Sequence, residues 1–149
     1  MDKELSKKLL YKPLNVFLNE DVKQNADEYC KGYREFIDSA KTEREAVDYA
    51  VMQAEKNGFV AYDRKASYKP GDRVYYVNRK KGIYLAVIGK EKIENGVRMI
   101  IAHTDCPRLD LKQKPLYEEA NLALLKTHYY GGIKKYQWVT VALALHGVV

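Results

Sequence analysis

Cysteine is scarce in this chain. There are two in 149 residues, Cys30 and Cys106, far apart. Two distant thiols make no disulfide framework, which argues against a stapled secreted domain and points to a reducing compartment, the cytoplasm. Long hydrophobic runs are missing as well: no stretch reaches the roughly eighteen apolar residues of a spanning helix, so no membrane partner is expected. No apolar run follows the basic residues at the N-terminus, so no signal peptide is expected either. Nor does a recognised RNA- or DNA-binding motif accompany the excess of 26 Lys and Arg over 20 Asp and Glu. The basic residues are spread along the chain and read as solvated faces and turns, so nucleic acid is not an expected partner.

What is present suffices for a folded core. The apolar content is 46%, and the length suits one domain. Asp2 to Leu10 reads as a short amphipathic helix, or a frayed arm, ended by Pro13. Asp21 to Lys41 predicts a longer one, with Val22, Ala26, Tyr29, Cys30, Tyr33, Phe36, Ile37 and Ala40 at three- and four-residue steps. Cys30 lies on that stripe and is read as core. Thr42-Glu43-Arg44-Glu45 is a capping box opening another helix, and Asn57-Gly58 supplies its stop.

Strands follow. Phe59 to Tyr62 is a short one, and Pro70-Gly71-Asp72 is a turn. Arg73 to Asn78 and Ile83 to Gly89 flank Lys80-Lys81-Gly82 as a hairpin. Arg108 to Lys112 alternates and should stop before Pro115, and Asn121 to Lys126 is another candidate strand. Tyr136 to Val149 reads as a strand apolar on both faces. The expected fold class is α/β, a helix pair packed on a mixed, partly antiparallel sheet.

The chain is organised around Met99-Ile100-Ile101-Ala102-His103-Thr104-Asp105-Cys106-Pro107. Val97 to Ala102, bounded by Gly96 and Pro107, reads as a buried strand, and functional groups gather at the carboxyl ends of such strands. Residues i and i+2 of a strand share a side, so His103 and Asp105 can face one pocket. A His that ligates zinc usually gives its other ring N–H to a carboxylate or carbonyl. The pattern therefore fits a metal ligand with its orienting partner, half of a two-metal site, or a surface His beside a turn-forming Asp. Asp110 and Glu118 or Glu119 could in principle add donors, although Asp110 reads more readily as part of the polar face of its strand and Glu118 has no physical role from the sequence. His128, beside the turn at Gly131-Gly132, could face the same pocket, but reads more readily as an exposed loop histidine.

Ala102 to Asp105, Pro107, Lys112, Pro115 to Glu118 and Tyr130 to Gly132 together resemble the signature of the aspartyl-aminopeptidase family of dinuclear zinc metallopeptidases. Cys106 stands where Ser is usual, which puts a thiol beside the metal that the family holds. The resemblance covers only the family's N-terminal third. It implies an incomplete part of a zinc-peptidase catalytic domain over residues 1–135. Residues 136–149 would begin the inserted β-rich domain that makes oligomer contacts, so a homo-oligomer is expected.

In that family two zinc ions act on a peptide substrate, often one with an acidic first residue. His103 would ligate one metal, and Asp105 would orient and polarise it. The bridging carboxylate, the general-base Glu and the remaining ligands have no counterpart here. The isolated chain is therefore expected to be inactive, with weak zinc binding at most. A second expectation is a truncated product that self-assembles into an ordered oligomer or filament.

Overall fold

The computed structural model describes residues 3–10, 15 and 18–148. The chain divides into two compact units, Met1–Ile37 and Asp38–Val149.

The first unit is helical. It holds α1 (Lys3–Leu9) and most of α2 (Glu20–Ser39). The Asn19 carboxamide accepts from the Val22 amide at 3.2 Å, and Glu20 and Asp21 add negative charge at the first turn, where the helix dipole favours it. Lys23–Glu20 and Lys31–Glu28 are ion pairs at 2.6 Å and one turn apart, each contributing a few tenths of a kcal/mol. None of the α2 residues is buried, and Cys30 is exposed. The reading of Cys30 as core is therefore corrected. An amphipathic stripe marks a face that something must cover, and α2 alone cannot cover its own.

The second unit is mixed α/β. Thr42 caps α3 (Glu43–Lys56) as the capping box predicts: Thr42 Oγ1 accepts from the Glu45 amide at 3.3 Å, and Glu45 Oε2 accepts from the Thr42 amide at 2.9 Å. Gly58, at φ +78°, ends the helix in a left-handed turn, with Phe59 N donating to Ala54 O at 2.9 Å. This is the Schellman arrangement that glycine permits.

A three-stranded sheet follows in the order β1 (Val60–Ala61), β2 (Arg73–Asn78), β3 (Gly82–Val87). β1 runs parallel to β2, and β3 antiparallel. α3 lies on β2 and β3. Ala46, Val47, Ala54 and Val74 are buried there, with Val47 fully enclosed, and burying a valine side chain stabilises by about 1.5–3 kcal/mol. The β2–β3 turn places Arg79 and Lys80 at φ +53° and +58°.

A separate ribbon pairs β4 (Arg108–Glu119) with β5 (Leu122–Tyr130), antiparallel. Its register runs from Arg108↔Tyr130 to Glu119↔Leu122. Two expectations change here. Pro115 does not end the strand, because it lies in a register irregularity between Leu111 and Leu116, beside Lys114 at φ +51°. At such a bulge the ladder is already interrupted, so the missing proline N–H is not needed. The second strand also runs past Lys126 to Tyr130.

Two predicted strands are absent. Residues 97–107 form no strand, and Ile100 and Ile101 are 99% and 84% exposed. Residues 136–148, the described part of the predicted Tyr136 to Val149 strand, form no strand either. Lys135–Trp138 is one helical turn, α4, and residues 139–148 pair with no strand among the described residues. Strands apolar on both faces need neighbours on both sides, and the described residues supply none. Among the described residues, no helix is long and apolar enough to cross a membrane.

Candidate functional site

The site is built where the coil 103–107 leads into β4. Strand geometry is missing there, yet His103 and Asp105 still meet. His103 Nδ1 lies 2.7 Å from the Asp105 backbone carbonyl and 3.2 Å from its Oδ1. A carbonyl oxygen can only accept, so Nδ1 carries a proton, and in the neutral imidazole Nε2 keeps the lone pair. The imidazole is 82% exposed, leaving that lone pair accessible.

Asp105 has a second partner. The Tyr130 hydroxyl, at the end of β5, donates to Asp105 Oδ2. This hydrogen bond is the chief cause holding the Asp105 carboxyl below its usual range, with its own backbone amide and His103 adding to it. The same bond pushes the Tyr130 phenol up.

Around them lies a charged frame. The Arg108 guanidinium sits 4.3 Å from the Tyr130 ring centroid, and its Nε donates to Asp110 at 2.7 Å. Glu43 pairs with Lys81 at 3.2 Å. Its own backbone amide, then Lys81, hold its carboxyl below the ordinary value. The Cys106 thiol faces the Lys41 carbonyl at 3.7 Å, next to the α3 cap. Gly131 has φ +72°, and a Cβ there would lie 3.3 Å from Pro107 Cγ. Gly131 thus marks a close approach to Pro107, whereas a Cβ at Gly132 would meet nothing within 4 Å.

The remaining sequence candidates do not converge on His103. Asp110 is engaged by Arg108. Glu118 pairs with Ala123 near the turn of the ribbon, ten residues along β4 from Arg108, or about 30 Å at the rise of a strand. His128 pairs with Asp110 and stacks on Tyr129 at 5.3 Å. Sequence reasoning missed Tyr130 as the Asp105 partner. Its signals were its place before Gly131-Gly132 and its part in the Tyr130 to Gly132 match to the family signature. It also missed His146, whose Nδ1 lies 2.8 Å from Glu45 Oε1.

Among the described residues, no three His, Cys, Asp or Glu side chains come together to hold a metal. A catalytic zinc takes three protein ligands. The donor chemistry of His103 and Asp105 thus fits one ligand arm of a zinc site, a histidine with its orienting carboxylate, and not a whole site.

The chain as a whole resembles known proteins. Residues 36–149 match the profile of the family described as aminopeptidase I zinc metalloprotease, M18. A probable M18 family aminopeptidase 1 of Borrelia garinii is 47% identical over 134 residues, 90% of this chain and 29% of that protein. Its counterpart in Clostridium acetobutylicum is 47% identical over 147 residues, 95% of this chain and 32% of the other. The crystal structure of aminopeptidase I from Borrelia burgdorferi is similar with a TM-score of 0.74 at 46% identity, over 83% of this chain and 30% of that one. An M18 aminopeptidase structure from Thermotoga maritima gives 0.75 at 38% identity, over 89% and 29%. The chain thus spans about three tenths of the length of these relatives. On the match of its residues 36–149, the chain belongs to the M18 family of zinc metalloproteases.

Proposed function

We propose that this chain is the N-terminal segment of a zinc-dependent aminopeptidase that releases N-terminal residues, acidic ones among them, from peptides, and that it is inactive by itself. The observation that carries this reading is the His103–Asp105 pair, in which Nδ1 is tied down and Nε2 is open. When bound, zinc would polarise a peptide carbonyl and lower the pKa of a bound water to about 7. His103 would hold one ion, and Asp105 would hold the imidazole. The second ion, the bridging carboxylate and the general base would come from the rest of a full-length protein. Two exposed thiols support a reducing, cytoplasmic setting.

The test is hydrolysis of Asp- and Glu-linked chromogenic substrates with added zinc. The chain is assayed alone and with the part of the Clostridium acetobutylicum relative that it does not match. Expected are no turnover alone and chelator-sensitive turnover with the complement, lost in His103→Ala. Turnover by the chain alone would overturn its inactivity. A formed complex without turnover would overturn the enzymatic reading.

One observation favours a second reading, in which copies of the chain assemble with one another as a homo-oligomer. Ile100, Ile101, Val139 and Leu145 are apolar and exposed, and surfaces of this kind associate. A discrete large mass in light scattering under reducing conditions would support it, and a monodisperse monomer would sink it.

A further inference from the structure

We propose that Tyr130 is a positioning residue: its hydroxyl clamps Asp105 and so keeps His103 in the Nδ1–H tautomer, with Nε2 turned outward as the donor. This rests on the reading of His103 as a ligand and adds a residue to which no role has been assigned.

The argument starts from what the 103–107 segment lacks. It forms no strand, so no ladder fixes the direction of Asp105. A carboxylate on an unpaired, solvated segment would rotate among its rotamers and exchange partners with water. The end of β5 prevents this. Tyr130 stands opposite Arg108 in the ladder, three residues beyond Asp105. Its ring is covered by the Arg108 guanidinium at 4.3 Å, and that guanidinium is itself fixed by Asp110 at 2.7 Å. A ring held in this way presents its hydroxyl to Asp105 Oδ2, and an O–H donated to a carboxylate is among the stronger hydrogen bonds.

Gly131 adds a second, independent contact. Its backbone closes on Pro107, where a Cβ would lie 3.3 Å from the ring. The end of β5 therefore holds the segment at residues 105 and 107 together. With Oδ2 occupied by Tyr130, Oδ1 is left toward His103 Nδ1 at 3.2 Å, beside the carbonyl at 2.7 Å. Both acceptors demand a proton on Nδ1.

The experiment is long-range proton–nitrogen NMR of the chain with labelled histidine, at about pH 8.5, where an ordinary imidazole is neutral. No metal is needed. Wild type should show widely separated His103 ring nitrogens, with Nε2 unprotonated. Tyr130→Phe removes one oxygen and keeps the ring, and the two resonances should move toward each other as the tautomers mix. Coincident His103 resonances in wild type and a folded Tyr130→Phe variant would overturn the proposal. Should Tyr130→Phe fail to fold, the Tyr130 Cζ resonance is compared between wild type and Asp105→Asn. A displaced resonance supports the clamp, and an unmoved one overturns it. A failed clamp would leave peptidase activity with the complement intact, whereas a failed ligand assignment would leave these resonances intact, so the two failures can be told apart.

Discussion

Ile100 offers the sharpest test of what the exposed 97–107 segment is for. It is 99% exposed, so it contributes almost no packing to this chain. Truncating it to Ala should change the stability of the isolated chain by no more than about 0.5 kcal/mol, as for any surface residue without partners. The same truncation should matter where the segment is covered. An isoleucine that becomes buried gains about 1.5–3 kcal/mol, and most of that is lost with its branched end. A loss of about 2 kcal/mol weakens association about thirtyfold. The assay is urea unfolding of the isolated wild-type and Ile100→Ala chains, followed by calorimetric titration of each with the complementing part of the Clostridium acetobutylicum relative. The expected pair of results is an unchanged unfolding midpoint and a dissociation constant raised by more than tenfold. An unchanged dissociation constant would refute the idea that this segment is covered by the remainder of the protein. A loss of unfolding free energy above about 1 kcal/mol would refute its exposure in the isolated chain.

Thr42→Ala removes the side chain that accepts from the Glu45 amide; it should destabilise by about 1 kcal/mol and lower Tm by about 2–4 °C, as read by circular dichroism. Gly131→Ala, at φ +72° and against Pro107, should cost about 1–2 kcal/mol from left-handed strain, with a further amount if Pro107 cannot shift; an unchanged Tm would show that the close approach is not kept in solution. The Glu45 carboxyl is held below its ordinary value of 4.5, first by the His146 hydrogen bond and then by the Lys41 and Thr42 amides. A lowered carboxyl stabilises above its unfolded value and loses that contribution as pH falls through the folded one. Wild type should therefore lose stability below about pH 4.5 more steeply than His146→Ala, and parallel pH profiles would remove His146 from the account.

The legible parts of the fold were the local ones. Thr42 and Glu45 are three residues apart, and Gly58 directly follows the residue that caps α3, so the whole signal lies in one short window. The β2–β3 hairpin is equally local, although its turn uses Arg79 and Lys80 in the left-handed region rather than glycine. Of the candidate site, the His103–Asp105 spacing was readable and their meeting was found. Its basis was not the one expected. Strand alternation does not bring them together; a backbone carbonyl and the Tyr130 hydroxyl do.

The failures have a common cause in partners distant in sequence or absent from the chain. Val97 to Ala102 and Tyr136 to Val149 carry the composition of buried strands, but a strand exists only when a neighbour accepts its hydrogen bonds. Pro115 sits within a strand because a bulge is a property of two paired strands, which the sequence of one strand alone does not encode. Tyr130 reaches Asp105 across 25 residues, and His146 reaches Glu45 across 101. No periodicity or spacing encodes either contact.

The two accessible thiols bear on any measurement of mass. Cys30 and Cys106 are both exposed, and Cys106 is engaged only by a carbonyl 3.7 Å away. With one reactive group, air oxidation would stop at a covalent pair. With two, each molecule is a bifunctional monomer, and oxidation proceeds as step polymerisation into open chains and closed rings. A ladder of masses that collapses on adding reductant is therefore cross-linking chemistry, and only an assembly that survives reductant bears on how this chain associates.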